Sequence, residues 1–490
     1  MKKKEIYFGE VTERVDFPNK AKVCVYDAPD PEDNGSIITV KNVMPGEKIR
    51  FRLKKKGVGD FVELVENSPY ERGTQCHLFR ICGGCVYQPL DYEKQLEIKT
   101  AGVKRLIEGV FEKVEECPAF DITVPSPKTE NYRNKMEYSF GDAFKDGPLT
   151  LGLHRRGSRF DVVTTDECLL VHEDCNRILK RALDFFSKEG IDHYRKMDGM
   201  GVLRHLVLRR SDASGEVLVT LVTTSNEKVT EKLLSDFVTA ICETPLEGNI
   251  TGILHTRNDS VADVVKDEGT ALLYGKDYIT EEILGLKFKI TPFSFFQTNS
   301  KGAEKLYEKA REYAISGGIS KIKEIVCADG AGASGSGYRD VTDRPVIFDL
   351  YSGTGTIAQI MAPVAKRVYG VEIVEEAVVA ARENSKLNGL DNCEYIAGDV
   401  LKVIDGIEEK PDFIILDPPR DGVHPKALEK ILAYGVENIL YISCKPTSLA
   451  RDLEICRAAG YEVARIGCVD MFPGTGHVET VVLMSRVGGR

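Results

Sequence analysis

The sequence predicts a multidomain α/β protein: a small β-barrel first, a mixed antiparallel α+β region next, and a doubly wound parallel sheet last. Three observations carry that prediction. Short apolar-alternating runs between turn signals fill residues 1–64, the same pattern returns over 131–258, and the C-terminal third alternates strand with helix.

Length and composition agree. At 490 residues the chain exceeds what one core of about 250–300 residues supports. Hydrophobic residues at 42% and charged residues at 29% are the profile of a globular chain. The start MKKKEIYFGE has positive charge but no apolar stretch behind it, and no apolar run is long enough to span a bilayer. A cytoplasmic protein without membrane contact, and a monomer, is expected. A formal net charge of −10 argues against a surface coated in phosphate-binding residues, yet local patches make a nucleic-acid footprint. The runs Lys2–Lys4 and Lys54–Lys56, and residues 154–159 (HRRGSR), are such patches. Each alone is more often a solvated face than a binding site.

The elements follow in order. IYFGEVTERV, KAKVCVYDA, GSIITVKNV, EKIRFRLKKKG and DFVELVEN read as five strands, enough for an OB-like barrel over residues 1–66. Residues 67–290 form the central part, with a cysteine cluster and a helix from about Asp91 to Phe111. The strands YRNKMEYSFG, LTLGLHRRG, RHLVLRRSD, EVLVTLVTT and NITGILHTRN follow, with one helix near residues 173–188. Residues 291–490 begin with a helix over 298–314, and the glycine-rich ADGAGASGSG makes 315–345 a loop insertion without chemistry of its own. Five strands then alternate with helices, and YEVARIGC and ETVVLMSR close the chain as an antiparallel hairpin.

The first of those C-terminal strands runs into Asp349-Leu-Tyr351-Ser-Gly353-Thr-Gly355, where glycines let the backbone approach a ligand. Glu372 ends the second strand, placed to meet ribose hydroxyls. Asp399 closes the third, where a carboxylate can meet an adenine edge. A dinucleotide fingerprint needs a third glycine that is missing here. The D-L-x-x-G-x-G form resembles instead the S-adenosylmethionine site of methyltransferases.

The fourth strand ends in Asp417-Pro418-Pro419-Arg420. Many amine methyltransferases carry an aromatic residue at the last of these positions, to stack on the target base. Arg420 therefore argues against an exocyclic amine. A ring carbon such as C5 of uracil is too weak a nucleophile to take a sulfonium methyl unaided. A thiolate adding to C6 moves electron density onto C5, and a base must later remove the C5 proton. Cys444, in Ser443-Cys444-Lys445-Pro446, ends the next strand and is the candidate nucleophile. A lone strand-end cysteine is more often a small buried residue, but its place one strand beyond D-P-P-R outweighs that. A thiol of pKa near about 8.5 needs help to ionise, and Lys445 and the start of the following helix are expected to give it. Glu479, behind the tight loop of Pro473, Gly474 and Gly476, is the candidate base, with His477 its competitor. Arg420 or Phe296 is expected to contact the base.

Thirteen cysteines without a secretory signal will mostly be reduced. Cys76, Cys82 and Cys85 have the spacing C-x5-C-x2-C, with Cys168 the expected fourth ligand and Cys175 its alternative. Four thiolates can hold zinc or an iron–sulfur cluster. The radical spacing C-x3-C-x2-C is absent.

Taken together, FFQTN (295–299), DLYSGTGT, DPPR, SCKP and HVET resemble the RNA uracil-C5 methyltransferase family, and YRNK (132–135) and the cysteine cluster extend the match. The front barrel resembles the TRAM domain of RNA-modifying enzymes. The resemblance implies a Rossmann-like methyltransferase domain, S-adenosylmethionine as methyl donor, and RNA as partner, ribosomal RNA before transfer RNA. It makes Cys444 the nucleophile and Glu479 the base. Gln297, Tyr351, Glu372 and Asp417, with Asp399, Gly353 and Gly355, fall where the family binds the cofactor. It also implies a 4Fe-4S cluster on Cys76, Cys82, Cys85 and Cys168. The family's usual S-C-N-P is here S-C-K-P, so the polar contact of that Asn is not carried over.

Overall fold

The computed structural model describes residues 1, 5–111, 118–262, 265, 267–316 and 344–487. Lys2–Lys4 and most of the 315–345 insertion lie outside them. Contacts divide the chain into two compact units, one of Met1–Thr74, Val86–Pro127 and Glu304–Arg490, the other of Gln75–Cys85 and Lys128–Ala303.

In the first unit, five strands close into a barrel: β1 (Ile6–Asp16), β2 (Lys20–Val25), β3 (Ile37–Lys41), β4 (Lys48–Lys55) and β5 (Val58–Glu66), in the order β1-β2-β3-β5-β4. Alternation decides which faces turn inward: Tyr7, Val11, Val23, Val40, Ile49 and Phe51 fill the interior. A Cβ on Gly59 would stand 2.5 Å from the Phe51 ring, so only glycine passes there. The helix Tyr92–Phe111 packs on the end of β1, with the position of a Gly102 Cβ only 3.3 Å from the backbone of Val15 and Phe17. Arg105 on that helix donates to the Val15 carbonyl and pairs with Asp16 at 3.4 Å.

In the second unit β6 (Lys135–Asp142), β7 (Leu149–His154), β8 (Val162–Thr164), β9 (Leu203–Arg210), β10 (Glu216–Thr223), β11 (Asn249–Arg257) and β12 (Thr270–Gly275) form one sheet. Its order is β12-β11-β10-β9-β6-β7-β8, and β13 (Ile279–Ile283) pairs with β14 (Leu286–Ile290) separately. Two features depart from the expected antiparallel sheet with one helix. β10 and β11 run parallel, and the connection that this requires is a second helix, Glu231–Cys242, capped by Thr230 accepting from Leu233 N–H at 3.1 Å. It packs Phe237 against Phe186 of the expected helix, Glu173–Glu189.

The last sheet, also in the first unit, comprises β15 (Val346–Leu350), β16 (Arg367–Glu372), β17 (Cys393–Ala397), β18 (Phe413–Leu416), β19 (Asn438–Ser443), β20 (Tyr461–Val469) and β21 (Glu479–Arg486). Its order is β17-β16-β15-β18-β19-β21-β20, parallel except for β21. β15, β18 and β19 are buried along their whole length, which is why they read as continuous apolar runs. Each such Ile, Leu or Phe contributes about 1.5–3 kcal/mol by leaving water. The order reverses beside β15, so a crevice opens at the carboxyl ends of β15 and β18. Because β21 is antiparallel, its first residue, Glu479, comes to that same edge.

Candidate active site

The turn after β15 is shaped by backbone that side chains rarely adopt. Gly353 and Gly355 have φ of 53° and 74°, and a Cβ on Gly355 would meet the Tyr395 ring at 2.6 Å. Tyr351 holds φ of 69°, a conformation costing a non-glycine residue about 1 kcal/mol or more. Such strain persists where the surroundings demand it, commonly at ligand sites. Glu372 fixes this turn by accepting from Gly353 N–H and Val374 N–H, both at 3.0 Å. Asp399 caps the short helix Val400–Val403, accepting from Leu401 N–H at 3.0 Å.

The acids crowd one another. Burial, and next the charge of Asp417, push the Asp349 carboxyl up to about 8. One Asp349 oxygen accepts from Ala358 N–H at 2.9 Å; the other, like the Ser352 hydroxyl, is buried without a hydrogen-bond partner among the described residues. Burial pushes Asp417 up to about 7, although part of its surface stays accessible. A sheet edge with such carboxyls and unpartnered polar atoms suits a ligand carrying cationic centres and hydroxyls, and S-adenosylmethionine has both. Of the expected cofactor residues, Tyr351, Gly353, Gly355, Glu372, Asp399 and Asp417 belong to this sheet edge. Gln297 belongs to the second unit, where its carbonyl accepts from Asn134 Nδ2 at 2.9 Å.

Cys444 and Glu479 are brought together by register. Ser443 pairs with Thr480 across β19 and β21, so the next residue of one strand faces the preceding residue of the other. Burial, and next the charges of Glu479 and Asp417, push the Cys444 thiol up to about 11; Arg420 opposes them. Glu479 is 3% exposed, and burial, then Asp417, push it up to about 8, again against Arg420. Arg420 is thus the cation of this site. Lys445, expected to serve the thiol, pairs instead with exposed Asp421 at 3.6 Å. His477 is exposed and edge-on to Phe472, whereas Glu479 is buried. Phe296 is buried against Phe288, whereas its neighbour Phe295 is 68% exposed; an exposed aromatic beside a buried one is not separable from sequence.

In the second unit Cys76, Cys82, Cys85 and Cys168 share one neighbourhood. Burial, and next the charges of Cys168, Cys82 and Cys76, push the Cys85 thiol up to about 12. Gly84 N–H points at the Cys82 sulfur at 3.4 Å, Leu170 and Val171 N–H groups point at Cys168, and Arg156 donates to the Cys85 carbonyl. Cys175 lies in the hydrophobic core instead. Thiols converging with amide donors fit the donor set of an iron–sulfur cluster. Among the described residues, however, no group of three or more His, Cys, Asp or Glu is arranged to hold a metal ion, so the 4Fe-4S expectation has chemistry but not geometry behind it.

Comparisons with known proteins find relatives among RNA methyltransferases. The tRNA (Uracil-5-)-methyltransferase family model matches residues 399–487. An RNA methyltransferase of Clostridium tetani is 47% identical over 92% of this chain and 93% of its own. Another, of Clostridium acetobutylicum, is 46% identical over the same shares. Among solved structures, the Pyrococcus abyssi tRNA (uracil-54, C5)-methyltransferase in complex with S-adenosyl-L-homocysteine is 27% identical, with a TM-score of 0.72 over 97% of this chain and 99% of that one. No helix among the described residues is long and apolar enough to cross a membrane.

Proposed function

The chain belongs to the RNA (uracil-5-)-methyltransferase family, and on that premise we propose that it methylates C5 of a uridine in RNA through a covalent bond from Cys444 to C6. One observation carries the reading: Cys444, just past the end of β19, and Glu479, at the start of the adjacent β21, lie close enough for their charges to act on one another, with Arg420 the cation beside both. When bound, S-adenosylmethionine supplies an electrophilic methyl group. Asp349, Tyr351, Glu372, Asp399 and Asp417 would hold it at the glycine turn. The Cys444 thiolate forms the S–C6 bond, the C5–C6 electron pair moves to C5, and C5 takes the methyl as the donor's S–CH3 bond breaks, its electron pair staying on sulfur in a neutral thioether. Glu479 then removes the C5 proton, the C5–C6 double bond re-forms, and the S–C6 bond breaks to return the thiolate.

The pH dependence follows. Glu479 must be ionised to accept a proton, and burial keeps it neutral below about 8, so the release step speeds up as pH rises toward that value. Arg420→Ala removes the charge that favours both anions, so the rising limb of the pH–rate profile moves to higher pH. An unmoved profile would place Arg420 outside the site.

The barrel, its lysines and the second unit serve as the grip on RNA, in the cytoplasm. Ribosomal RNA is the proposed target; the resemblance to a transfer-RNA enzyme favours the second reading. Tritium release from C5-labelled uridine in total RNA, followed by mapping of the modified base, tests both. Methyl transfer without release would contradict C5 as the site, and the map chooses the RNA. Cys76, Cys82, Cys85 and Cys168 would hold the 4Fe-4S cluster, which would fix that segment of chain. Protein purified without air is expected to carry about four irons, falling sharply in Cys85→Ser. Iron at background in the parent protein would contradict it.

A further inference from the structure

We infer that Lys99 and Asp470 are positioning residues for Glu479, setting the loop that delivers the base; this rests on the covalent reading above. Asp470 follows β20 and Glu479 begins β21, and Val469 pairs with Glu479 across the hairpin, so residues 470–478 form a loop closed at the base itself. Lys99, on the helix Tyr92–Phe111, enters that loop. Its ammonium donates to Asp470 Oδ1 at 2.8 Å and to the Phe472 carbonyl at 2.9 Å, and both side chains are entirely shielded from solvent. The same Asp470 oxygen accepts from Phe472 N–H at 3.1 Å.

Four residues earlier on the same helix face, Gln95 accepts from Gly474 N–H at 2.7 Å, while the Gly474 carbonyl accepts from Val86 and Tyr87 N–H at 2.8 and 2.9 Å. A Cβ on Gly476 would meet the Pro18 carbonyl at 2.5 Å, so the loop also presses against the barrel. A dehydrated ion pair is weak evidence for stability, because apolar side chains of similar volume often serve as well. Its directional bonds are what an apolar pair cannot supply. Here they fix Asp470 and Phe472, at the start of the loop that leads to Glu479, and the helix holding them is packed on the end of β1.

The test compares adduct decay with adduct formation in the full-length protein, using Glu479→Gln as reference. Lys99→Met/Asp470→Asn removes both charges together, so neither is left buried alone. Methyl transfer into RNA in a single turnover is expected to stay within about threefold of the parent, while decay of the protein–RNA adduct on a denaturing gel slows about tenfold or more, a part of what a positioned base provides. Gln95→Met, which removes the bond from Gly474 together with the one Gln95 donates to the Leu90 carbonyl, is expected to slow decay about threefold and serves if the double variant does not fold. Decay at the parent rate in whichever folded variant is measured overturns the inference. Failure of the underlying reading looks different: Glu479→Gln itself would then trap no adduct.

Discussion

Cys444→Ala is expected to abolish methylation, with a loss of about 10⁴-fold or more in kcat, the scale seen when a covalent nucleophile is removed. That corresponds to about 5.5 kcal/mol of transition-state stabilisation. The side chain is only part-buried at the end of β19, so replacing the thiol with a methyl group leaves the fold intact. Binding of cofactor and RNA is expected to persist, since the acids at the glycine turn and the lysines of the barrel are untouched. Activity retained within tenfold would mean that the methyl group goes to an atom needing no thiolate, an exocyclic amine being the obvious one.

Glu479→Gln is expected to behave differently. The thiolate still adds and C5 still receives its methyl, but the amide cannot take the C5 proton. One turnover therefore ends in a covalent protein–RNA adduct, with release slowed by about 10²–10⁴-fold. Stability offers a second readout. The folded carboxyl sits well above its ordinary value, so the stability that its protonated form allows is present at low pH and is lost as pH rises through about 8. Gln carries no charge at any pH. The variant is expected to melt no lower than the parent at pH 7 and higher than it at pH 9. An equal pH dependence in both proteins would show that Glu479 is not the buried carboxyl responsible.

Much of this site is legible in the sequence, for a physical reason. In a doubly wound sheet the ligand-facing residues lie at the carboxyl ends of consecutive strands, so Asp349, Glu372, Asp399, Asp417 and Cys444 appear in order, each just after an apolar run. The terminal hairpin is equally readable, and it alone brings Glu479 to the same edge. Lys445 and Arg420 show the limit. Both are cations beside a motif, and only the fold reveals that Lys445 turns to Asp421 while the charge of Arg420 acts on Cys444 and Glu479. The Lys99–Asp470 pair joins residues 371 positions apart, and no local pattern announces such a pairing. The helix Glu231–Cys242 was readable from its Thr230 cap and amphipathic spacing, yet the strands around it dominate the pattern. Parallel pairing of β10 with β11 cannot be told from antiparallel by alternation.

The most direct measurement is the intact mass of the protein after incubation with S-adenosylmethionine and RNA carrying 5-fluorouridine. Fluorine at C5 cannot leave as a proton does, so the elimination that frees the thiol is blocked. The account predicts a stable protein–RNA adduct bearing one added methyl group, mapped after digestion to the peptide containing Cys444 and absent from Cys444→Ala. Free protein, alongside undiminished methylation of ordinary RNA, would contradict it.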